Sequence, residues 1–90
     1  MKRLHIIVSG KVQGVSYRDF IRRQGEKHKI TGFVRNLHDG TVEIVAEGDE
    51  ENIPLFLREC KRGSLLAFVQ KTDVKELEAT GEFEEFQIRF

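Results

Sequence analysis

Leu4, Ile6 and Val8 alternate with His5, Ile7 and Ser9, a period of two that turns one set of side chains toward a core and predicts a strand ending near Val12. From 17 to 29 the period lengthens. Tyr17, Phe20, Ile21 and Gln24 fall on one stripe, while Arg22, Arg23, Lys27 and Lys29 are left for water, the signature of an amphipathic helix. Gly25 lies inside it at a penalty of about 1 kcal/mol relative to Ala. Either a neighbour packs close there or the weakness is tolerated, and tolerance is the reading adopted. Two β-prone runs, 32–37 and 41–46, flank His38-Asp39-Gly40, and an Asp-Gly pair in that setting predicts an antiparallel hairpin because both residues accept positive φ. Residues 52–62 set Ile53, Phe56, Leu57 and Cys60 on one face, with Asn52 as a cap, Pro54 in the first turn and Gly63 as terminator; a second, short helix is expected. A fourth strand is expected around Phe68, Val69 and Val74, and Phe86, Ile88 and Phe90 alternate in a last short one.

The resulting order, β-α-β-β-α-β with a terminal edge strand, predicts an α+β fold: a ferredoxin-like sandwich with an antiparallel sheet of four to five strands and both helices on one face. Its 90 residues fit one domain spanning 1–90. With 15 Lys and Arg against 15 Asp and Glu the net charge is zero, so the cationic excess that holds nucleic acid is missing and no nucleic-acid partner is expected. The balance hides a division. Residues 1–35 carry nine basic and two acidic side chains, a balance of +7, and residues 36–90 carry −7. A local field that draws in a small dianion is therefore expected around the first helix. Cys60 is alone, which excludes a disulfide within the chain and a Cys-x-x-Cys metal or redox site and points to the cytoplasm. The interrupted apolar run at the start suits neither a signal peptide nor a membrane span, so no membrane association is expected.

The chemistry gathers between the first strand and the first helix, in Gly10-Lys11-Val12-Gln13-Gly14-Val15-Ser16-Tyr17-Arg18. A loop there delivers its N–H groups to the positive end of the helix, and Gly14 lets the backbone curl, which makes an anion-binding concavity. Arg18 adds a planar fork for two oxygens of one phosphate. Spacing alone leaves an ordinary turn and an anion site both open. The Gly-Lys-Ser/Thr ending of a nucleotide-binding loop is absent. Cys60 reads as core, and His5, His28 and His38, far apart in sequence, read as structural or solvated. Glu47, Asp49, Glu50 and Glu51 read as a solvated run and not as a metal site.

The residues carry more than spacing. Gly10-x-Val12-Gln13-Gly14-Val15-x-Tyr17-Arg18, then Gly32-Phe33-Val34-x-Asn36-Leu37-x-Asp39-Gly40-x-Val42-Glu43 and Ala46-Glu47-Gly48, closely resemble the acylphosphatase family, and the likeness runs through nearly the whole chain. The resemblance implies a small metal-independent hydrolase, an acylphosphate phosphohydrolase, which splits a carboxyl–phosphate anhydride into carboxylate and inorganic phosphate without a cofactor. It also implies that Arg18 holds the phosphoryl group, that the backbone of Gln13, Gly14, Val15, Ser16, Tyr17 and Arg18 surrounds its oxygens, and that Asn36 holds the attacking water. A small-molecule acyl phosphate is the expected partner and a cytoplasmic monomer the expected form. Four positions depart from the family pattern: Phe33 where Trp is common, His38 where Pro is frequent, Ser16 for a frequent Gly, and Ser64 where Pro often follows Gly63. Two alternatives stand beside this reading. One is a non-catalytic ferredoxin-like binding module, which would want exposed aromatics on strand three or two cysteines in the first loop, and this chain has neither. The other is a relative directed at carbamoyl phosphate, with the same Arg18 and Asn36.

Overall fold

Strands β1 (Lys2–Lys11), β2 (Thr31–Asn36), β3 (Val42–Gly48), β4 (Phe68–Leu77) and β5 (Phe86–Arg89) form one sheet of order β4-β1-β3-β2-β5 with β1 inside it, in a computed structural model that describes all residues 1–90. Its alternation does what the sequence pattern requires: Leu4, Ile6 and Val8 are buried in the core, and Ile6 faces Ile44 of β3 (Val42–Gly48) on one side and Val74 of β4 (Phe68–Leu77) on the other. Helices α1 (Tyr17–Lys27) and α2 (Ile53–Arg62) cover that same face, placing Tyr17, Phe20, Ile21, Ile53, Phe56 and Cys60 in one cluster with the strand residues. The predicted hairpin forms between β2 (Thr31–Asn36) and β3. Its turn is braced by the Asp39 carboxylate, which accepts bonds from the Thr41 N–H (3.0 Å) and hydroxyl (2.6 Å).

One pairing differs from the expected antiparallel sheet. The last strand, β5 (Phe86–Arg89), runs parallel to β2, with Gly32 facing Phe86 and Arg35 facing Arg89, so the sheet is mixed. The reason is the chain's route. After β4 ends at one edge, residues 78–85 cross the end of the sheet past Arg3 of β1 and Glu47 of β3 and enter the opposite edge beside Thr31 and Gly32. Arriving at the end where β2 begins, the strand can only run with it.

That crossing corrects a second expectation. Glu47 is not solvated; its side chain is fully buried. It accepts hydrogen bonds from the N–H groups of Thr80 (2.8 Å) and Gly81 (3.0 Å) and from Arg3 Nη1 (3.3 Å). Arg3 also reaches Glu82 (2.8 Å) and lies 5.3 Å from the Phe83 ring centre. A buried carboxylate must be paired and hydrogen-bonded to be tolerated, and here its partners are the main chain of the crossing segment.

Gly25 corrects a third. A Cβ at this position would stand 2.7 Å from the buried Phe86 ring. The glycine is there because α1 packs directly on β5, so close approach is the reason and tolerance is not.

The division of charge along the chain does not survive folding intact. Basic β1 sits between β3, which is net acidic through Glu43 and Glu47, and β4, whose charges balance, and Lys2 meets Glu76 (3.2 Å), Arg3 meets Glu47 and Glu82, and His5 meets Glu43 (2.7 Å). No helix is long and apolar enough to cross a membrane.

Candidate active site

The sheet has two poles. At the one opposite the Arg3–Glu47 knot, β1, β2 and β5 end and β3 and β4 begin. There the β1–α1 loop rises. Val12 is buried and anchors it to the core, and Gly14 follows with φ 71° and open space where a side chain would stand. Ser16, at the N-cap of α1, holds φ 61° and ψ 21°, a left-handed conformation that a non-glycine residue adopts only at a steric cost. Its hydroxyl makes no capping bond. The N–H groups of Gln13, Gly14, Val15 and Ser16 have no acceptor within the protein, and the bond that opens α1 runs from Phe20 N to Ser16 O at 3.1 Å. The donors of the first helical turn are therefore unspent, beside the positive end of the helix dipole.

Around this loop lies a cleft of about 350 Å³ lined by Gly14, Ser16, Tyr17 and Arg18 together with Val12, Asp19, Ile88 and Phe90. The Arg18 guanidinium is in no ion pair. It is held by the Arg89 carbonyl (3.4 Å) and by the face of the Phe90 ring (4.8 Å), so it is oriented without being neutralised. Asp19 is the one acidic side chain in the cleft wall. Bonds from Arg22 (2.9 Å) and Arg23 (3.1 Å) occupy it, and the Arg22 bond above all holds its carboxyl below the usual 3.8, so it is ionised at neutral pH and has no proton to give.

Asn36 is the last residue of β2 and pairs with Val42. It is not in the cleft wall, but it follows Arg35, the partner of Arg89 in the parallel pairing, and so stands at the same pole as the carbonyl that holds Arg18. Its Oδ1 is buried with no hydrogen-bond partner, and a buried acceptor left unpaired in a native fold calls for an explanation.

Of the predicted residues, Gly14, Ser16, Tyr17 and Arg18 line the cleft; Gln13, Val15 and Asn36 are not part of its wall. Tyr17 does more than supply backbone. Its buried hydroxyl donates to the Cys60 carbonyl at 2.7 Å and ties the start of α1 to the end of α2. Ser64 Oγ donates to the Val15 carbonyl at 3.4 Å from the other side. Sequence reasoning missed Ile88 and Phe90 as cleft residues, since their alternation was read only as a strand, and missed the side chain of Gln13, for which no local signal exists. Cys60 is core as expected; burial pushes its thiol well above the usual 9.0. None of the three histidines lines the cleft, and no three His, Cys, Asp or Glu side chains gather as a metal site.

A βαββαβ sandwich extended by the edge strand β5, with unspent N–H donors and an unpaired guanidinium at one pole, is the frame of a ferredoxin-like domain. More narrowly, the chain belongs to the acylphosphatase family, whose model matches residues 4–88. It is 51% identical over 88 residues to an acylphosphatase of Methylococcus capsulatus, covering 98% of this chain and 96% of that one. The crystal structure of acylphosphatase from Bacillus subtilis superposes with a TM-score of 0.96 at 38% identity and covers 100% of both chains. The crystal structure of T. kodakarensis HypF matches with a TM-score of 0.86 at 37% identity, over 99% of this chain but 12% of that one. The activity is that of an acylphosphatase, a hydrolase.

Proposed function

We propose that this protein binds the phosphoryl group of a small acyl phosphate through Arg18 and the backbone N–H groups of residues 13–18, and that Asn36 holds the attacking water in line. The water oxygen bonds to phosphorus, the bond from phosphorus to the carboxyl oxygen breaks, the electron pair leaves with the carboxylate, and the water's proton passes to a phosphoryl oxygen of the substrate. The observation that carries this reading is the pairing of unspent loop amides with an un-neutralised Arg18 at one pole. Phosphoryl transfer asks chiefly for positioning and for compensation of spread charge, and these groups offer both. A carboxylate is a good leaving group, so no general acid is needed; with Asp19 ionised and no histidine in the cleft, none is at hand.

The test is hydrolysis of benzoyl phosphate by the native protein, Arg18→Gln and Asn36→Ala. Removing one donor of this kind costs about 2.7–4 kcal/mol, so each variant is expected to fall roughly a hundredfold or more, and undiminished activity in either removes that residue from the mechanism. A rate flat from about pH 5 to 8 supports transfer of the proton to the substrate, whereas a rise centred near about 6.5 would implicate a histidine.

A relative directed at carbamoyl phosphate, with the same Arg18 and Asn36, is the second reading, and the match to a 12% stretch of HypF is compatible with a domain of that kind also occurring inside a larger protein. Against it stands the match to acylphosphatases over nearly the whole of both chains, which favours one domain over residues 1–90; a monomer in the cytoplasm is part of the proposal and rests on the family resemblance and the lone Cys60. Comparison of kcat/KM for benzoyl and carbamoyl phosphate separates the two, and gel filtration checks the monomer.

A further inference from the structure

We propose that the side chain of Gln13 is a positioning residue for this reaction: it sets the distance between the phosphate-holding loop and the residue that holds the water. The inference rests on the assignment of Arg18, the loop and Asn36 just given.

The two halves of the site come from separate parts of the sheet. The loop follows β1, Asn36 ends β2, and β3 lies between them. The β1–β3 ladder stops at Val8 facing Val42, and the β2–β3 ladder stops at Asn36 facing Val42. Beyond that level no sheet bond joins the loop to the hairpin. Gln13 crosses the gap. Its Nε2 donates to the Leu37 carbonyl (2.8 Å) and to the Thr41 carbonyl (2.9 Å), on the two sides of the hairpin mouth. Leu37 follows Asn36 directly, and the Thr41 carbonyl also accepts the Leu37 N–H at 2.9 Å. Both amide protons of one side chain are thus spent on the peptide units next to Asn36, while the backbone of the same residue belongs to the loop that faces the phosphate.

The residue type is specific to this task. Two N–H bonds from one neutral atom require a primary amide; Asn is one methylene shorter, and Glu would set carboxylate oxygens against two carbonyl oxygens. An error of about 1 Å between reacting groups can lower a rate by about a hundredfold, so a tie at this point acts on the chemical step even though it touches no substrate atom.

The experiment compares the native protein, Gln13→Met, Asn36→Ala and the double variant on benzoyl phosphate, with inorganic phosphate as competitive inhibitor. Gln13→Met keeps the length and loses the bonds, and Gln13→Glu serves as a second variant should Met unsettle the fold, with thermal melts as the check. The expected result is a fall in kcat of about tenfold or more, with KM and the inhibition constant of phosphate within about threefold of native. In the Asn36→Ala background the same substitution is expected to change kcat by less than about twofold, because both act on the same water. Three results would overturn the proposal: an undiminished kcat in a folded Gln13→Met, KM and the phosphate constant rising in step with the loss, which would mean that Gln13 only shapes the loop, or a full multiplicative loss on top of Asn36→Ala. Undiminished activity in Asn36→Ala alone would remove the water-holding assignment and this inference with it, whereas additive losses leave that assignment standing.

Discussion

Ser16 shows how one residue can be legible as an exception and still need coordinates to explain. Its position is one where the family often has Gly, and its φ of 61° at the N-cap gives the reason, because a Cβ in that conformation is crowded. The same loop leaves its N–H groups without a partner in the protein, which is what the proposed phosphate contacts require. Ser16→Gly should relieve the crowding and lose part of the gain to chain entropy, leaving a net stabilisation of about 0.5–1 kcal/mol. A higher urea midpoint at unchanged slope would show it, and a lower one would mean that the hydroxyl makes an unrecognised contribution. Arg18 and Asn36 were legible from their motifs alone. What the motifs did not contain is that Arg18 escapes all ion pairing in a chain with as many acids as bases, or that Asn36 Oδ1 is buried and unpartnered.

Elements place these residues through two contacts that local pattern does not contain. Where α1 crosses β5, Gly25 touches the Phe86 ring. Gly25→Ala improves helix propensity by about 1 kcal/mol yet inserts a methyl into a packed contact at about 1–3 kcal/mol, so a lower melting temperature is expected; a rise would mean that Phe86 yields freely. Where residues 78–85 cross the sheet, Glu47 holds two main-chain N–H groups and Arg3. Glu47→Gln replaces one acceptor oxygen by a donor and leaves Arg3 without its buried partner. A loss of about 3 kcal/mol is expected in chemical denaturation, with kcat at 25 °C unchanged while the protein stays folded, because this knot and the cradle occupy opposite poles. A large fall in kcat would show that the two poles are coupled.

For the whole molecule, stability should form a plateau bounded by groups at the core and on the open sheet face. Burial pushes up the Cys60 thiol and the Tyr17 hydroxyl, so both stay protonated in the fold while the unfolded chain ionises above the usual 9.0 and 10.0. Stability is then full below about pH 9 and falls above it, by about 1.4 kcal/mol per pH unit for each group. At the acid end, burial works to raise the Glu43 carboxyl, but bonds from His5 and Arg35 outweigh it and hold it below the usual 4.5. Its contribution is present above that value and is lost as pH falls through the folded one. Denaturant midpoints across about pH 3–11 check both edges; a curve still rising at pH 10 would contradict the alkaline one. The periods of two and 3.6, the Asp-Gly turn and the loop motif already determined the elements, their order, the family and the residues proposed to carry the chemistry, because those properties depend on near neighbours in the chain. Tertiary structure alone decided that the last strand runs parallel to β2, that Glu47 is buried, that Gly25 touches Phe86, that the basic residues of β1 meet Glu43, Glu47, Glu76 and Glu82, and that Gln13 reaches across to Leu37 and Thr41. Each of these joins residues more than twenty positions apart, and a contact of that range is set by the route of the whole chain, which no local pattern encodes.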